Sequence, residues 1–297
     1  MGLEREEMEV QRVALAPFLA RCPGVLTLGV RPCIEDYSAE ERALLRSADR
    51  ILFPTPRFAL IFHAVGIPCF PSYYSYRYQR SRFLQKTLLE VMDVPHPKSR
   101  VYFGSRQKRG ILEEFSPPFL LMGVPMNSPD AYVIGSPKDL EDVLDRYNPV
   151  LIRQLIAWQK QVRLVFTHYE CIAAQLMTDC PRGGPHWSPA SLEDEGLDEL
   201  ISQTRRILSM VQIDDIMVHW GLDEESWKLI EMSRPPVVIQ TFSGYINRHD
   251  IVCGYVRDGV LDSSCGLSPL WDGESRGPTL PIRDSGCPVG RNPRSDP

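Results

Sequence analysis

The chain has 297 residues, 43% of them hydrophobic, with a formal net charge of -5 and an isoelectric point near 5.8. That length can bury the core of one large domain or two lobes. The acidic balance gives no electrostatic case for a nucleic-acid partner, and the apolar runs, such as Phe119 to Val124, fall far short of a membrane span. The charged start, MGLEREEMEV, does not read as a secretory signal, and Glu6 stands where a myristoylation motif needs Ser or Thr. The eight cysteines show no C-x-x-C pair and no cluster with histidines. They read as reduced, mostly buried thiols of a cytoplasmic protein rather than as zinc ligands.

In chain order, Glu4 to Ala16 has helical periodicity, with Val10, Val13 and Ala14 on one face. Val25 to Val30 is a short apolar run, as expected of a buried parallel strand. Ser38 and Glu41 make a capping box for a helix over 39–48. Strands are expected at 50–53 and 68–71, with a helix at 58–65 between them. Strand and helix alternate, which predicts a small α/β lobe. The aromatic run Tyr73 to Tyr78 reads as a packing seam leading into a helix over 80–92.

Further strands are expected at 100–103, 118–122, 131–134 and 150–156, with a helix over 138–147 capped by Ser136 and Asp139. An antiparallel pair at 162–167 and 169–176 follows, with His168 at its turn, where an exposed side chain is expected. Residues 180–190 read as a Pro/Gly loop and 191–210 as an amphipathic helix. A last strand at 237–242 and a last helix at 247–255 complete the pattern. Beyond Asp258 periodicity ends, and 261–297 has the composition of a disordered tail.

The chemistry concentrates between Asp214 and Ser233. Alternation predicts two strands joined by a polar turn at 221–226. Paired, they would bring His219, Glu231 and Ser233 near one another. A carboxylate in an apolar strand is costly unless something satisfies it, and a cation is one answer. The structural alternative is a hairpin carrying a half-exposed acid.

The order of these elements over about residues 25 to 255 resembles the ATP-grasp family. The stretches that carry the likeness are LTLGVRP (26–32), RILFPTP (50–56), VPHPKSRVYFG (94–104), PPFLLM (117–122), LIRQLI (151–156), VRLVF (162–166) and LIEMS (229–233). The resemblance implies an α+β fold: an N-terminal α/β lobe over 1–79, a two-lobed ATP-grasp domain over 80–258, and a tail over 259–297. It also implies ATP-dependent joining of a carboxylate to an amine or thiol through an acylphosphate. Nucleotide would lie between two lobes, with basic residues on its phosphates and Mg on acids.

Carried over position by position, the resemblance places Arg82 where a phosphate-reaching Lys is usual. It places Met122 where a second Lys is usual, so that contact is lost. The glycine-rich cover is replaced by GVPMNSPDA, interrupted by Pro125 and Pro129. The adenine edge falls on Gln154, Leu155 and Ile156, after Arg153, and the γ-phosphate cation on Arg163. The first metal acid falls on His219, the second on Glu231, and the following Asn on Ser233. Histidine suits Mg poorly. The family's usual Arg and Asn find no match in 181–186.

The expected ligands are therefore ATP and Mg, both weakened by Met122 and His219, with an unknown carboxylate as substrate. Thr27, Arg31 and Thr55 are the polar residues of the N-terminal lobe that could meet it. Two readings follow. One is an unusual ligase relying on Arg82, Arg163 and Glu231. The other is a catalytically inactive scaffold, with a protein partner or a second copy of the chain as its ligand. Losing one preorganised charge contact costs about 2.7–4 kcal/mol of transition-state stabilisation, so several losses together should weaken family-typical catalysis badly.

Overall fold

The computed structural model describes residues 12–126, 131–180, 184–194 and 196–261. The fold is α+β, as expected from the sequence, and is built around three main sheets.

The first sheet is parallel, in the order β2-β1-β3-β4. It comprises β1 (Arg12–Ala14), β2 (Val25–Thr27), β3 (Ile51–Leu52) and β4 (Cys69–Phe70), with α1 (Ala39–Ser47) and α2 (Pro56–Ala64) in the crossovers. β1 overturns part of the expected N-terminal helix; residues 4–11 lie outside the described residues. Val13 and Ala14 are held between β2 and β3 and are fully buried, and covered on both faces a strand needs no alternation. The α1 capping box forms as expected, with Ser38 and Glu41 exchanging hydrogen bonds.

Two helices, α3 (Tyr73–Tyr78) and α4 (Arg82–Val91), lead away from this sheet. The second sheet, order β5-β8-β6-β7, follows. Its elements are β5 (Ser99–Tyr102), α5 (Gly104–Lys108), α6 (Ile111–Glu114), β6 (Phe119–Gly123), β7 (Ala131–Ile134), α7 (Pro137–Val143) and β8 (Val150–Gln154). One face packs Phe119, Leu121, Val150 and Ile152 against Ile111, Leu140 and Val143. By alternation, Leu120, Met122, Leu151 and Arg153 face the other way.

The third sheet, order β11-β10-β9-β12-β13, contains β9 (Lys160–Thr167), β10 (Glu170–Cys180), β11 (Gly184–Ala190), then, after α8 (Leu197–Met210), β12 (Asp215–Leu222) and β13 (Trp227–Ser233). One face packs Val162, Leu164, Val218, Trp220 and Leu229 against Leu200, Ile201, Ile207 and Leu208 of α8. β11 replaces the end of the expected Pro/Gly loop. It pairs along β10 from Ala174↔Ala190 to Cys180↔Gly184, because an edge strand tolerates Pro where its N–H would face solvent. Residues 181–183 lie outside the described residues.

A hairpin of β14 (Val238–Thr241) and β15 (Gly244–Asn247) precedes α9 (Arg248–Arg257). Val252 and Val256 of α9 return to the first sheet and pack against Ala14, Leu52, Phe53 and Phe70. A disulfide joins Cys22 to Cys253 in the same place, correcting the expectation that every cysteine is a free thiol. Among the described residues no helix is long and apolar enough to cross a membrane. The expected tail over 259–297 lies outside the described residues beyond Leu261.

His168 is also not the exposed residue expected. It is half-buried at the β9–β10 turn, in ring contact with Phe70, Tyr169 and Tyr255.

Candidate functional site

Three strands of the third sheet carry the first polar centre. His219 of β12 lies directly opposite Arg163 of β9 and Glu231 of β13, so all three project from one face. That is the face turned away from the α8 core. Ile230 is left unpaired by a bulge between the His219↔Glu231 and Trp220↔Leu229 pairs, and bulges re-aim the neighbouring side chains. The sequence reading of the hairpin expects His219 near Glu231, and the two strands pair there. Ser233 pairs with Met217 instead, one pleat repeat farther along.

Two arginines from elsewhere complete this centre. Arg82, at the start of α4, donates from Nη1 to the carbonyls of Gly123 and Pro125, both at 2.9 Å. Its Nε lies 3.6 Å from the Glu231 carboxylate and has no hydrogen-bond partner. Arg153 of β8 is 9% exposed. Burial pulls its pKa below the ordinary arginine value, opposed by the charge of Glu231. Arg163 behaves likewise, with burial the larger cause and Glu231 opposing it. It also stacks on Trp187, its guanidinium 3.8 Å from the ring centroid.

His219 stands in this cationic field. Its Nε2 is 3.1 Å from Gln161 Oε1 and its ring meets Trp187 edge-on at 5.0 Å. Burial, then the charges of Arg163 and Arg153, push its pKa down to about 3. It is therefore neutral at neutral pH. One guanidinium lies beside the Glu231 carboxylate, a second stands two strands away in the same register and a third feels its charge, an arrangement suited to an oxyanion with several negative charges.

The residues present do not fit magnesium. That ion wants several oxygen ligands in near-octahedral array, whereas Glu231 is the one carboxylate of the centre and it faces Arg82. Among the described residues no three His, Cys, Asp or Glu are placed to hold a metal ion.

Gln154, Leu155 and Ile156, which the resemblance sets at an adenine edge, sit where β8 ends. Gln154 still pairs with Phe119, and no strand pairs with Leu155 or Ile156 among the described residues, so their peptide groups lie outside the ladder. Trp158 then packs flat over Gly221 of β12, where any Cβ would fall inside the indole ring. Met122 is buried and supplies no charge.

A second polar centre lies on the same face at the other end of β12. Asp215 accepts two hydrogen bonds from Arg248 Nη1, at 2.7 and 2.8 Å, and both residues are about 2% exposed. Asp214 accepts from Ser72 N and Ser75 Oγ, and burial pushes its pKa up to about 6. Sequence reasoning passed over Asp215, Arg248 and the Arg153 side chain. The available signal was a charged residue inside an otherwise apolar run, VLIRQ for Arg153. A cavity of about 720 Å³ opens beside this pair, walled by Phe18, Phe53, Pro54, Met126 and Arg234, with Ser233 at its edge.

The candidate N-terminal polar residues divide. Thr55 caps α2 through Phe58 N and lines the cavity. Arg31 is paired with Glu41 at 2.6 Å. Thr27 Oγ1 is buried without a partner.

No protein-family model matches this sequence, and no curated protein matches it either. Solved structures do match. A RimK domain ATP-grasp protein from Sphaerobacter thermophilus is 15% identical, with a TM-score of 0.56 over 75% of this chain and 90% of that one. The ATP-grasp ligase PsnB, solved with a phosphomimetic variant of a minimal precursor, Mg and ADP, is 12% identical, with a TM-score of 0.61 over 83% and 97%. D-alanine–D-alanine ligase from Bacillus anthracis, complexed with ATP, is 11% identical, with a TM-score of 0.59 over 85% and 95%.

The class is thereby defined: the chain has the ATP-grasp fold. Its build is similar to that of the solved ATP-grasp ligases named above.

Proposed function

We propose that this is a nucleotide-binding protein of ligase-like build, whose cleft meets the phosphates with arginine rather than with a magnesium cage. The observation that carries this reading is the convergence of Arg82, Arg153 and Arg163 on Glu231, with His219 held neutral among them. Guanidinium groups bind phosphate oxygens bidentately and stay charged when buried. Leu155 and Ile156 would offer peptide groups to an adenine edge. The carboxylate to be activated would lie in the cavity bounded by Ser233, Arg234 and Arg248. On this reading nucleotide and carboxylate would lie on opposite sides of the Glu231–Ser233 segment, with the lobes taken as 1–79 and 80–258.

The second reading, a catalytically inactive binding protein, is favoured by Met122 at a phosphate position and by Arg82 facing Glu231. Calorimetric titration of ATP into the full chain, with and without Mg or Mn, tests the proposal. Binding that needs no metal and weakens about tenfold or more in Arg153→Met is expected. Absence of binding at millimolar nucleotide would discard it. Binding without ADP release, across carboxylate and amine pairs, would select the second reading.

A further inference from the structure

Three cavities, of about 720, 520 and 480 Å³, share Pro56 and Arg80 as common walls and so form one groove along α2 and the start of α4. Six arginines line it: Arg31, Arg57, Arg77, Arg80, Arg234 and Arg248. Its acid is Asp215, which is bonded to Arg248, and Arg31 is bonded to Glu41 outside the groove. Arg234 also feels the charge of Asp215, and Arg57, Arg77 and Arg80 have no ion pair with a carboxylate among the described residues. Such a concentration runs against the chain's net charge of -5.

The helices agree. α1, α7, α8 and α9 each carry an acid in the first turn. α2, whose start adjoins the groove, carries none and has Arg57 there instead. A cation at a helix N-terminus is unfavourable unless an anion joins it.

We propose that this groove binds an acidic peptide, with carboxylates over Arg57, Arg77 and Arg80 and an apolar side chain in the Phe53 cavity. The wall there is apolar, formed by Phe18, Phe53, Pro54, Pro71 and Met126. That suits a peptide side chain. A polynucleotide can stack bases on such rings, but the chain's overall charge repels its phosphate backbone. The Phe53 cavity is the one that the proposed function gives to the carboxylate, so this inference rests on that part of the reading, whereas the nucleotide cleft is separate and peptide binding without nucleotide is measured apart from it.

The test is fluorescence anisotropy of the full chain with a labelled Glu-Glu-Glu-Leu-Glu-Glu peptide, no nucleotide present. Micromolar binding is expected. Raising salt from about 50 to about 200 mM should weaken it. Replacing the peptide Leu by Ser, or making Arg80→Glu, should weaken it about five- to tenfold. Arg57→Glu and Arg77→Glu should act in the same direction, and Arg106→Glu, on α5 outside the groove, should not. All of these side chains are exposed, so the fold should survive. Equal binding of an all-Gln analogue, indifference to Arg80→Glu, tighter binding of an oligothymidylate of equal charge, or no binding at millimolar peptide would each overturn the proposal.

Discussion

Glu231 is the residue on which the two readings of the cleft diverge most. If its role is to balance arginines, then Glu231→Gln frees Arg82, Arg153 and Arg163 for a ligand. Metal-free affinity for a triphosphate should then rise about tenfold, roughly 1.4 kcal/mol. If Glu231 instead carried a metal, the same substitution would remove metal-dependent binding. Titration with and without Mg separates the two. His219 makes a second prediction. Its folded pKa, about 3, lies below the unfolded value of about 6.5. Between those values the unfolded chain takes up a proton that the folded chain refuses. Stability contributed here is therefore complete above about pH 6.5 and is lost as pH falls toward 3. Urea unfolding at about pH 7.5 and pH 5 should show a smaller loss in His219→Gln than in the parent. Asp214 acts in the opposite sense. Its raised pKa, about 6, makes stability fall as pH rises from about 4 to 6, and Asp214→Asn should remove that slope. These residues were partly legible. The hairpin put His219 near Glu231, but plain alternation groups Glu231 with Leu229, and only the bulge at Ile230 sets it on the face opposite the core; nothing local to Arg153 said that it would feel the charge of Glu231 nearly eighty residues on.

At the scale of elements, the contact of Trp158 with Gly221 joins the segment after β8 to β12. Gly221→Ala must displace the indole. The expected cost is about 1–3 kcal/mol, read as a lower denaturation midpoint, together with weaker nucleotide binding, since Ala157 alone separates Ile156 from Trp158. An unchanged midpoint would mean that the indole is free to leave. The amphipathic helix α8, the capped helices α1 and α7, and the β12–β13 hairpin follow from periodicity and capping chemistry. β1 and β11 did not. β1 lies inside a parallel sheet whose partners are remote in sequence, and β11 exists because β10 offers it an edge. Their local sequences, RVA and GPHWSPA, carry no strong strand period.

Over the whole molecule, α9 holds the N-terminal sheet to the third sheet. Arg248 reaches Asp215 of β12, His249 stacks on Phe18 at 4.4 Å, and Cys253 is bonded to Cys22 across 231 residues. Reduction, or the pair Cys22→Ser and Cys253→Ser, should cost about 2–4 kcal/mol, because closing so long a loop constrains the unfolded chain. A non-reducing peptide map should recover the two cysteines linked. If instead both react with a thiol reagent in the native protein, the link is absent. Arg248→Ala would strand a buried carboxylate and should cost about 3–5 kcal/mol, and its unfolding should show the loss even with the disulfide intact.

The sequence by itself determined most of the helices and the hairpin that carries His219 and Glu231, while the α+β class was implied by its resemblance to a known family. The helices and the hairpin depend on period, capping and residue identity, which are properties of neighbouring residues. Tertiary structure alone decided that Arg82 and Arg153 would crowd Glu231, that Arg248 would be neutralised by Asp215, that four other arginines would share one groove, and that Cys22 would find Cys253. Each of those pairings joins segments far apart in the chain. Their partners are chosen by packing and by the cost of leaving a buried charge alone, neither of which leaves a local pattern to read.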